Sequence, residues 1–309
     1  MIKISVIIPV YKVPLEHLRA CFNSLAAQTL QESEFIVVSD GASETECSVC
    51  EEFTSKDTRF KFFKRKHAGV SATRNFGIDQ VQGEFIAFVD CDDWIDSNML
   101  ERCYSFANEN PCDIITMNFF ITKEGKDTLK RQKPNSTNAL KMLRQILIGE
   151  IFGGMPIRII KKKFFNENPT KFSTNIGYCE DNVFWATFLQ KKPKIAYFDT
   201  AFYHYVQDNE NSITQKKYSI KTYQDLKNYI STLKTVLPSS FSPEINEAAL
   251  IVKVGAMSQK LLTLSEYMSF ERTSVRTLIL SHLPWITKIY LLSHTILFLL
   301  FGKSYKTHL

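Results

Sequence analysis

The stretch FVDCDDW, residues 88–94, places three carboxylates, Asp90, Asp92 and Asp93, directly after an apolar run. Alternate side chains on an extended segment point the same way, so we expect Asp90 and Asp92 to face one pocket. Such hard oxygen ligands suit Mg²⁺ or Mn²⁺, whose coordination would be completed by water and substrate phosphates. The alternative is that Asp92 or Asp93 caps the helix predicted from the following residues, a role that Asp93 or Asp96 could fill. Because Asp90 ends a buried strand, the pattern favours metal or phosphate chemistry.

Two other predicted strands also end in residues that could contact a ligand. In an open α/β sheet, ligands bind outside the carboxyl ends of the strands. These two strand ends supply a carboxylate and a turn that would leave room for a planar ring of the ligand. The residues are Pro9, Val10 and Tyr11 after the first strand, and Ser39, Asp40 and Gly41 after the second.

The pattern of apolar residues predicts the elements that position these groups. Near-continuous apolar runs rich in Val, Ile and Phe suit the strands of a sheet that is covered on both faces. Apolar residues spaced three and four apart predict helices between them. Strands are predicted at 4–9, 35–39, 60–63, 85–90 and 114–120, and helices at 14–30, 43–55 and 68–82. This alternation predicts an α/β fold with a mostly parallel sheet flanked by helices.

The remainder of the chain is less regular. Residues 123–138 are polar and basic and contain a proline, which predicts an exposed loop between two lobes. Beyond this loop, helices are predicted at 139–149 and 181–190, a strand at 195–206, and a helical extension from 216 to 309.

Composition limits the class of protein. The 309 residues carry a formal net charge of +6, which suits anionic small molecules or an anionic membrane surface at least as well as nucleic acid. Seven irregularly spaced cysteines indicate free thiols in a reducing compartment, and Cys47 and Cys50 are predicted to be buried in a helix. The N-terminus lacks the features of a signal peptide, so we expect a cytoplasmic protein. We expect no nucleic-acid partner.

Two common nucleotide-binding motifs are missing from the sequence. It contains no G-x-x-x-x-G-K-[ST], and no G-x-G-x-x-G follows a strand. A P-loop and a dinucleotide-binding fold are therefore disfavoured. What remains is a sheet that binds a nucleotide diphosphate through a metal and carboxylates.

Five stretches resemble, in order and spacing, the signatures of the family 2 glycosyltransferases. They are VIIPVY (6–11), VVSDGAS (37–43), HAGVSATRNFGI (67–78), GEFIAFVDCDDW (83–94) and YCEDNVF (178–184). The resemblance covers roughly residues 3–215 and is strongest to bacterial enzymes that build capsules, exopolysaccharides and O-antigens. It implies a GT-A fold over residues 1–215, with a donor-binding half at 1–100 and an acceptor half at 101–215.

The resemblance also implies roles for individual residues. Asp40 would read the uracil of a nucleotide sugar, Asp90 would lie by the ribose and metal, and Asp92 would bind the divalent cation on the diphosphate. Arg74 would contact the nucleotide or the aspartates. Asp181 matches the catalytic base, and its neighbour Glu180 is the second candidate for that role. Cys91, the middle residue of the D-x-D, joins the nucleotide-binding set.

The chemistry of an inverting sugar transfer is consistent with these roles. Asp181 also has an alternative role. An inverting transfer needs a carboxylate that takes the proton from the acceptor hydroxyl, and a cation that neutralises the leaving diphosphate. Asp181 lies in the predicted first turn of a helix, where the dipole would lower its pKa unless burial offsets the effect. A purely helix-stabilising role is the alternative.

Two further stretches resemble the family. In YHYVQDNENSIT (203–214) the family often has an arginine where Val206 stands, so His204 is a candidate phosphate contact, with a structural histidine as the alternative. In PIRIIKKKFF (156–165), Arg158 occupies a basic position and is a candidate contact to the acceptor or the diphosphate. A solvated basic face is the alternative explanation of Lys161–Lys163.

The C-terminal region predicts an amphipathic helix at 283–303. Lys288, His294, Thr295 and Lys303 fall near one side of the helical wheel, and the apolar residues fall on the other. Such a helix suits an anionic membrane surface. The alternative is that the apolar stripe packs on the protein's own core or on a second subunit, which would make the protein a homo-oligomer.

The combined prediction is an inverting glycosyltransferase at the inner face of the plasma membrane. It would move a hexose or N-acetylhexosamine from a UDP-sugar to a saccharide or lipid-linked saccharide, with Mg²⁺ or Mn²⁺. Two alternatives stay open: a metal-dependent nucleotidyltransferase, and a non-catalytic saccharide-binding scaffold with a decayed site.

Overall fold

The protein is described here by a computed structural model covering residues 1–208, 219–258, 278–279, 281–282, 284–289 and 291–293. Nine strands in this described part form one sheet. They are β1 (Ile4–Val10), β2 (Ser33–Asp40), β3 (Phe60–Arg65), β4 (Phe85–Phe88), β5 (Trp94–Ile95), β6 (Ile114–Lys123), β7 (Lys126–Lys130), β8 (Arg158–Lys161) and β9 (Ile195–Val206). Their order is β3-β2-β1-β4-β8-β6-β9-β5, and β7 pairs with β6.

The sheet has a parallel half and a mixed half. β3, β2, β1 and β4 run parallel, as the alternation of strands and helices predicts. β8 then runs antiparallel to both β4 and β6, while β9 is parallel to β6 and antiparallel to β5. The predicted α/β class is confirmed, and the parallel arrangement holds for the first four strands.

Helices cover both faces of the sheet. They are α1 (Leu15–Ala26), α2 (Glu44–Lys56), α3 (Val70–Gln80), α4 (Met99–Glu109), α5 (Ala139–Leu147), α6 (Lys162–Glu167), α7 (Glu180–Phe188), α8 (Ile220–Val236) and α9 (Ser242–Ser258). Successive strand residues point to opposite faces, so Val6 and Ile8 join the core under α1, α2 and α4. Ile7 joins the core formed with α5, α7, α8 and α9.

The predicted loop at 123–138 is wrong in part. Residues Lys126–Lys130 form β7, which pairs with the end of β6 as an exposed hairpin. The turn at Glu124 and Gly125 has positive φ at both residues, 49° and 70°. The hairpin is stabilised by the Thr122 hydroxyl, which donates to the Asp127 carboxylate at 2.5 Å. Polar side chains alone do not reveal a strand that is exposed on both faces.

The C-terminal helices pack on the sheet rather than forming a separate core. Leu226, Ile230, Leu233 and Ile245 belong to the same buried cluster as Ile7. Most of the predicted helix at 283–303 lies outside the described residues. Within its described part, Lys288 is buried and donates to the Ile279 carbonyl, contrary to its expected place on a polar outer face. Across the described residues, no helix is both long enough and apolar enough to span a bilayer.

All seven cysteines are free thiols, as predicted, and Cys47 and Cys50 are buried in α2.

Candidate active site

Three strand ends meet at one edge of the sheet, as the sequence predicts. β2, β1 and β4 are adjacent and parallel, so Asp40, Tyr11 and Asp90, which end or follow them, lie along the same edge. Pro9 and Val10 lie within β1 and are buried. Their contribution is the backbone path that brings the half-buried Tyr11 to this edge.

Asp40 is buried and holds the loop that follows β3. Its carboxylate accepts hydrogen bonds from the backbone N–H groups of Ala68 (2.7 Å) and Gly69 (3.0 Å), and lies 2.9 Å from Nδ1 of His67. The exposed His67 ring stacks on Tyr11, with centroids 4.3 Å apart and planes 15° apart. Sequence reasoning did not single out these three loop residues, although the stretch HAGVSATRNFGI begins with them.

Gly41 allows close packing at this edge, and Cys91 is a buried packing residue there. Gly41 has a φ of +74°, and a Cβ there would lie 2.9 Å from Cβ of His67, so glycine permits the close approach of the histidine. The Cys91 side chain is only 8% exposed. Burial raises the pKa of its thiol well above the ordinary value, which leaves it a neutral packing group.

Arg74 connects two parts of the chain that are distant in sequence. Its buried guanidinium, on α3, donates to Asp90 (3.0 Å), Glu180 (3.0 Å) and Asp181 (2.7 Å). Burial alone would lower the pKa of Arg74, but the three carboxylates raise it above its ordinary value. The candidate base, its neighbour and one candidate metal ligand are thus held by one cation.

Asp181, in the first turn of α7, lies in an environment that favours its protonated form. Burial raises its pKa to about 7, against the lowering effect of Arg74, while Glu180 and Asp90 raise it further. Its second oxygen accepts the backbone N–H of Met155 at 3.1 Å. The sequence-based expectation that the helix dipole would lower the pKa is therefore outweighed by burial. A carboxylate that titrates near neutral pH is suited to general-base catalysis.

The three carboxylates of FVDCDDW have different environments. Asp90 and Asp92 are half-buried at the strand end. Asp93 is buried, accepting the Val206 N–H at 2.8 Å and the Tyr203 hydroxyl. Burial raises the pKa of Asp93 well above its ordinary value. The hypothesis that Asp92, Asp93 or Asp96 caps the next helix is wrong, because α4 begins after Asn98.

The remaining carboxylates, Asp90 and Asp92, fit a divalent cation that is shared with a substrate. Among the residues that the structure describes, no group of three or more His, Cys, Asp or Glu side chains forms a complete metal cage. Mg²⁺ seldom needs such a cage, since one or two carboxylates, waters and substrate phosphates complete its octahedral shell. The oxygen donors present match that chemistry.

A sequence model of known families decides the identity of the domain. The model described as "Glycosyl transferase family 2" matches residues 5–171 of the 309. This chain belongs to glycosyl transferase family 2. The resemblance inferred from the five sequence stretches is confirmed.

Two curated glycosyltransferases are similar to parts of this chain. The chain is 37% identical to glycosyltransferase GlyA of Streptococcus pneumoniae over 124 residues, which cover 40% of this chain and 18% of GlyA. It is 26% identical to the poly(ribitol-phosphate) beta-glucosyltransferase of Bacillus spizizenii over 275 residues, covering 88% of this chain and 41% of that enzyme. The chain thus spans less than half the length of both relatives.

Solved structures share the fold of this family 2 glycosyltransferase. S. aureus TarS in complex with UDP-GlcNAc aligns with a TM-score of 0.61 and 18% identity, over 86% of this chain and 85% of that chain. The mannosyltransferase PcManGT of Pyrobaculum calidifontis, in complex with GDP-Man and Mn²⁺, aligns with a TM-score of 0.56 and 12% identity, over 96% of this chain and 80% of that chain. At these identities the likeness establishes the fold.

His204 of this family 2 glycosyltransferase is buried and surrounded by protein partners. Its buried ring stacks on Trp94 (centroids 3.4 Å apart) and on Phe120 (4.8 Å). Nε2 lies 3.3 Å from Asp96, and Nδ1 lies 3.2 Å from Asp127. Because both ring nitrogens already face carboxylates, the prediction that His204 contacts phosphate is not supported, and the structural alternative fits these contacts.

Arg158 holds the backbone segment that precedes Met155. It is fully buried, and its guanidinium donates to the carbonyls of Gly154 (2.8 Å) and Phe152 (2.6 Å). Burial lowers its pKa to about 9. The predicted direct contact to an acceptor or a diphosphate is wrong for this geometry, since the side chain is enclosed by protein. It fixes the backbone that contacts Asp181 instead.

Proposed function

We propose that this family 2 glycosyltransferase moves a hexose or N-acetylhexosamine from a UDP-sugar to a saccharide or lipid-linked saccharide, with inversion at the anomeric carbon. The observation that carries the proposal is the joint pairing of Asp181 and Asp90 with Arg74. One buried cation thereby places a base for the acceptor beside a carboxylate for the donor, before either substrate binds.

Asp181 is the proposed base. Its carboxylate takes the proton of the acceptor hydroxyl while that oxygen bonds to the anomeric carbon, and the bond from this carbon to the diphosphate oxygen breaks to release UDP. The pKa of about 7 that burial gives Asp181 matches neutral conditions. A positioned base of this kind contributes roughly 10²- to 10⁴-fold in rate.

Asp90 and Asp92 are the proposed ligands of Mg²⁺ or Mn²⁺. When bound, the cation supplies positive charge that neutralises the leaving diphosphate. Arg74 holds Asp90 in position, while the hydrogen bonds to Asp93 fix the backbone on the other side of Asp92. The Mn²⁺ in the PcManGT complex supports a metal in this fold, and the choice between Mg²⁺ and Mn²⁺ belongs to the proposal.

Tyr11, His67 and Asp40 are the proposed site for the uracil. The stacked pair offers a flat aromatic face at the carboxyl end of β1, and the buried carboxylate of Asp40 lies against the same histidine. A planar base can stack on such a face. The UDP-GlcNAc bound to TarS supports a UDP-sugar as donor.

A lipid-linked acceptor would place the protein at a membrane surface, and one described segment suits this location. Trp285, Ile286 and Ile289 are 67%, 84% and 63% exposed, and Lys288 lies between them with its ammonium 4.8 Å from the Trp285 ring centroid. An exposed apolar helix face with an interfacial tryptophan is typical of proteins that lie on a bilayer.

Vesicle binding tests the membrane part of the proposal. Wild type should co-sediment with vesicles containing anionic phospholipid, and the double variant Ile286→Asp, Ile289→Asp should remain in solution. Leu129→Asp, which changes an exposed leucine of β7, is the matched control and should bind like wild type. Equal sedimentation of all three proteins would contradict the membrane proposal and leave the transfer reaction untouched.

Thermal unfolding with UDP, GDP, CMP and ADP, each with and without Mn²⁺, tests the donor site. A ligand at 100 times its Kd adds about 2.7 kcal/mol to the free energy of unfolding, which gives a measurable shift. We expect a UDP-selective, Mn²⁺-dependent rise in Tm that is lost in Asp92→Ala. Asp79→Ala, at an exposed carboxylate on α3, should behave as wild type. No shift with any nucleotide would overturn the proposed function.

A further inference from the structure

Phe152 is an exposed aromatic residue on a fixed backbone. Its side chain is 39% exposed, yet its N–H donates to the Gln132 side chain at 2.5 Å and its carbonyl accepts from Arg158 at 2.6 Å. The next carbonyl, that of Gly153, accepts from the indole of Trp185 at 2.8 Å. A rigid main chain therefore presents an apolar ring to solvent, where flexible loops usually present polar residues.

Two other rings lie beside Phe152. The centroid of Phe119 lies 5.1 Å away and that of Tyr205 lies 6.2 Å away. Phe119 is buried and Tyr205 half-buried, so the first supports Phe152 and the second extends its surface. We call Phe119, Phe152 and Tyr205 the aromatic shelf.

One side of the shelf adjoins the proposed base. A Cβ at Gly154 would lie 2.2 Å from the Phe152 ring, so this ring lies directly over that glycine. The following residue, Met155, donates its N–H to Asp181 at 3.1 Å. A Cβ at Gly153 would lie 1.9 Å from Oδ1 of Asn182, the residue after Asp181. The two glycines thus allow the shelf to pack closely against the start of α7.

The other side of the shelf adjoins the strand end that carries Asp90. Tyr205 and Tyr203 are two residues apart on β9, so they point to the same face of the sheet. The Tyr203 hydroxyl accepts the N–H of Asp90 at 3.3 Å and donates to Asp93. The aromatic shelf is therefore linked through neighbouring residues to both the proposed base and the strand end that carries Asp90.

We propose that the aromatic shelf stacks against the pyranose ring of the acceptor sugar, and so determines which acceptors Asp181 can activate. This inference rests on the proposed function. A pyranose ring has a face of C–H groups and an edge of hydroxyls, and the negative face of an aromatic ring attracts such C–H groups. Ring stacking leaves the hydroxyl edge free to approach Asp181. Sites for small molecules combine apolar and aromatic walls with a few placed polar groups in this way.

Saturation-transfer NMR with simple glycosides tests the shelf. The probes are the methyl β-glycosides of glucose, galactose and N-acetylglucosamine, each with and without UDP and Mn²⁺, and sorbitol serves as a polyol without a ring. We expect saturation transfer to the axial C–H protons of at least one glycoside and none to sorbitol. Phe152→Ala should bind that glycoside roughly three- to tenfold more weakly, the range expected for one aromatic contact.

Two variants separate stacking from a general effect on folding. Phe152→Trp keeps a ring and should retain binding, and Leu129→Ala removes an exposed side chain elsewhere and should change nothing. Transfer to no glycoside in wild type, equal transfer to sorbitol, or unchanged binding in Phe152→Ala would each overturn the inference. The thermal shift with UDP is measured on the same samples. A normal UDP shift with no glycoside effect refutes the shelf alone, whereas no UDP shift refutes the proposed function.

Discussion

The guanidinium of Arg74 donates to the Asp181 carboxylate at 2.7 Å, although 107 positions separate the two residues in the chain. The same guanidinium holds Asp90 at the end of the fourth strand. The Arg74 side chain is 4% exposed, and those of Asp181 and Asp90 are 18% and 33% exposed, so solvent weakens both contacts less than it would on an open surface. The relative position of the candidate base and the candidate metal ligand is therefore a property of the folded protein before any substrate binds.

Asp181→Asn should retain UDP binding and lose transfer. The amide keeps nearly the same shape but cannot accept the proton of the acceptor, so kcat should fall by roughly 10²- to 10⁴-fold. Glu180→Gln is the matched control, because Glu180 also pairs with Arg74, and it should lower kcat less. Transfer by Asp181→Asn at the wild-type rate would remove Asp181 from the mechanism, and a larger loss in Glu180→Gln would give the role to its neighbour.

Transfer should depend on pH through Asp181. Burial raises its pKa to about 7, and only the deprotonated form can accept a proton. Plotted against pH, kcat/KM for the acceptor should rise about tenfold per unit below this pKa and level off above it. A profile that stays flat from pH 5 to pH 8, at saturating metal and donor, would contradict the assignment.

Arg74→Met should lower stability strongly. The change removes the shared partner of Asp90, Glu180 and Asp181, and breaking a buried ion pair from one side costs about 3–5 kcal/mol. Arg19→Met is the control, since Arg19 is exposed and a surface ion pair such as its pair with Glu52 contributes little to stability. Urea unfolding of both variants measures the difference. Equal free energies of unfolding would show that Arg74 does not hold the site together.

Asp93→Asn should change how stability depends on pH. Burial raises the folded-state pKa of Asp93, so its contribution is fully present below the unfolded pKa and is lost as pH rises through the folded pKa. Asparagine does not titrate, so the variant should lose less stability than wild type between pH 4 and pH 8. Its amide still has partners in Val206 and Tyr203. Parallel stability profiles in urea unfolding would contradict this account.

Gly41→Ala should weaken UDP binding and stability more than Gly69→Ala. Both glycines have positive φ, +74° and +90°, so a side chain at either position strains the backbone. A Cβ at Gly41 also lies 2.9 Å from Cβ of His67, whereas a Cβ at Gly69 meets nothing within 4 Å. Tm and UDP titrations compare the two variants. Equal losses would show that the position of His67 does not matter for the nucleotide.

The sequence by itself determines the features that are encoded locally. The apolar runs predict the strands, and the residues just after β1, β2 and β4 stand out as candidates because parallel strands share one ligand-binding edge. The D-x-D spacing pairs Asp90 with Asp92, and five short stretches are enough to indicate the family. These properties depend on residue type, order and short spacing, which a one-dimensional pattern contains.

The tertiary structure decides which of these residues meet and in what chemical state. Arg158 and His204 resemble ligand contacts in sequence, but both are buried with protein partners. Asp93 differs from its neighbours because Tyr203, 110 positions away, lies against it. The pKa of Asp181 and the placement of Phe152 likewise follow from burial and from contacts between distant segments. Local spacing does not encode such long-range pairing, because it arises only when the mixed half of the sheet brings β8 and β9 beside the parallel half.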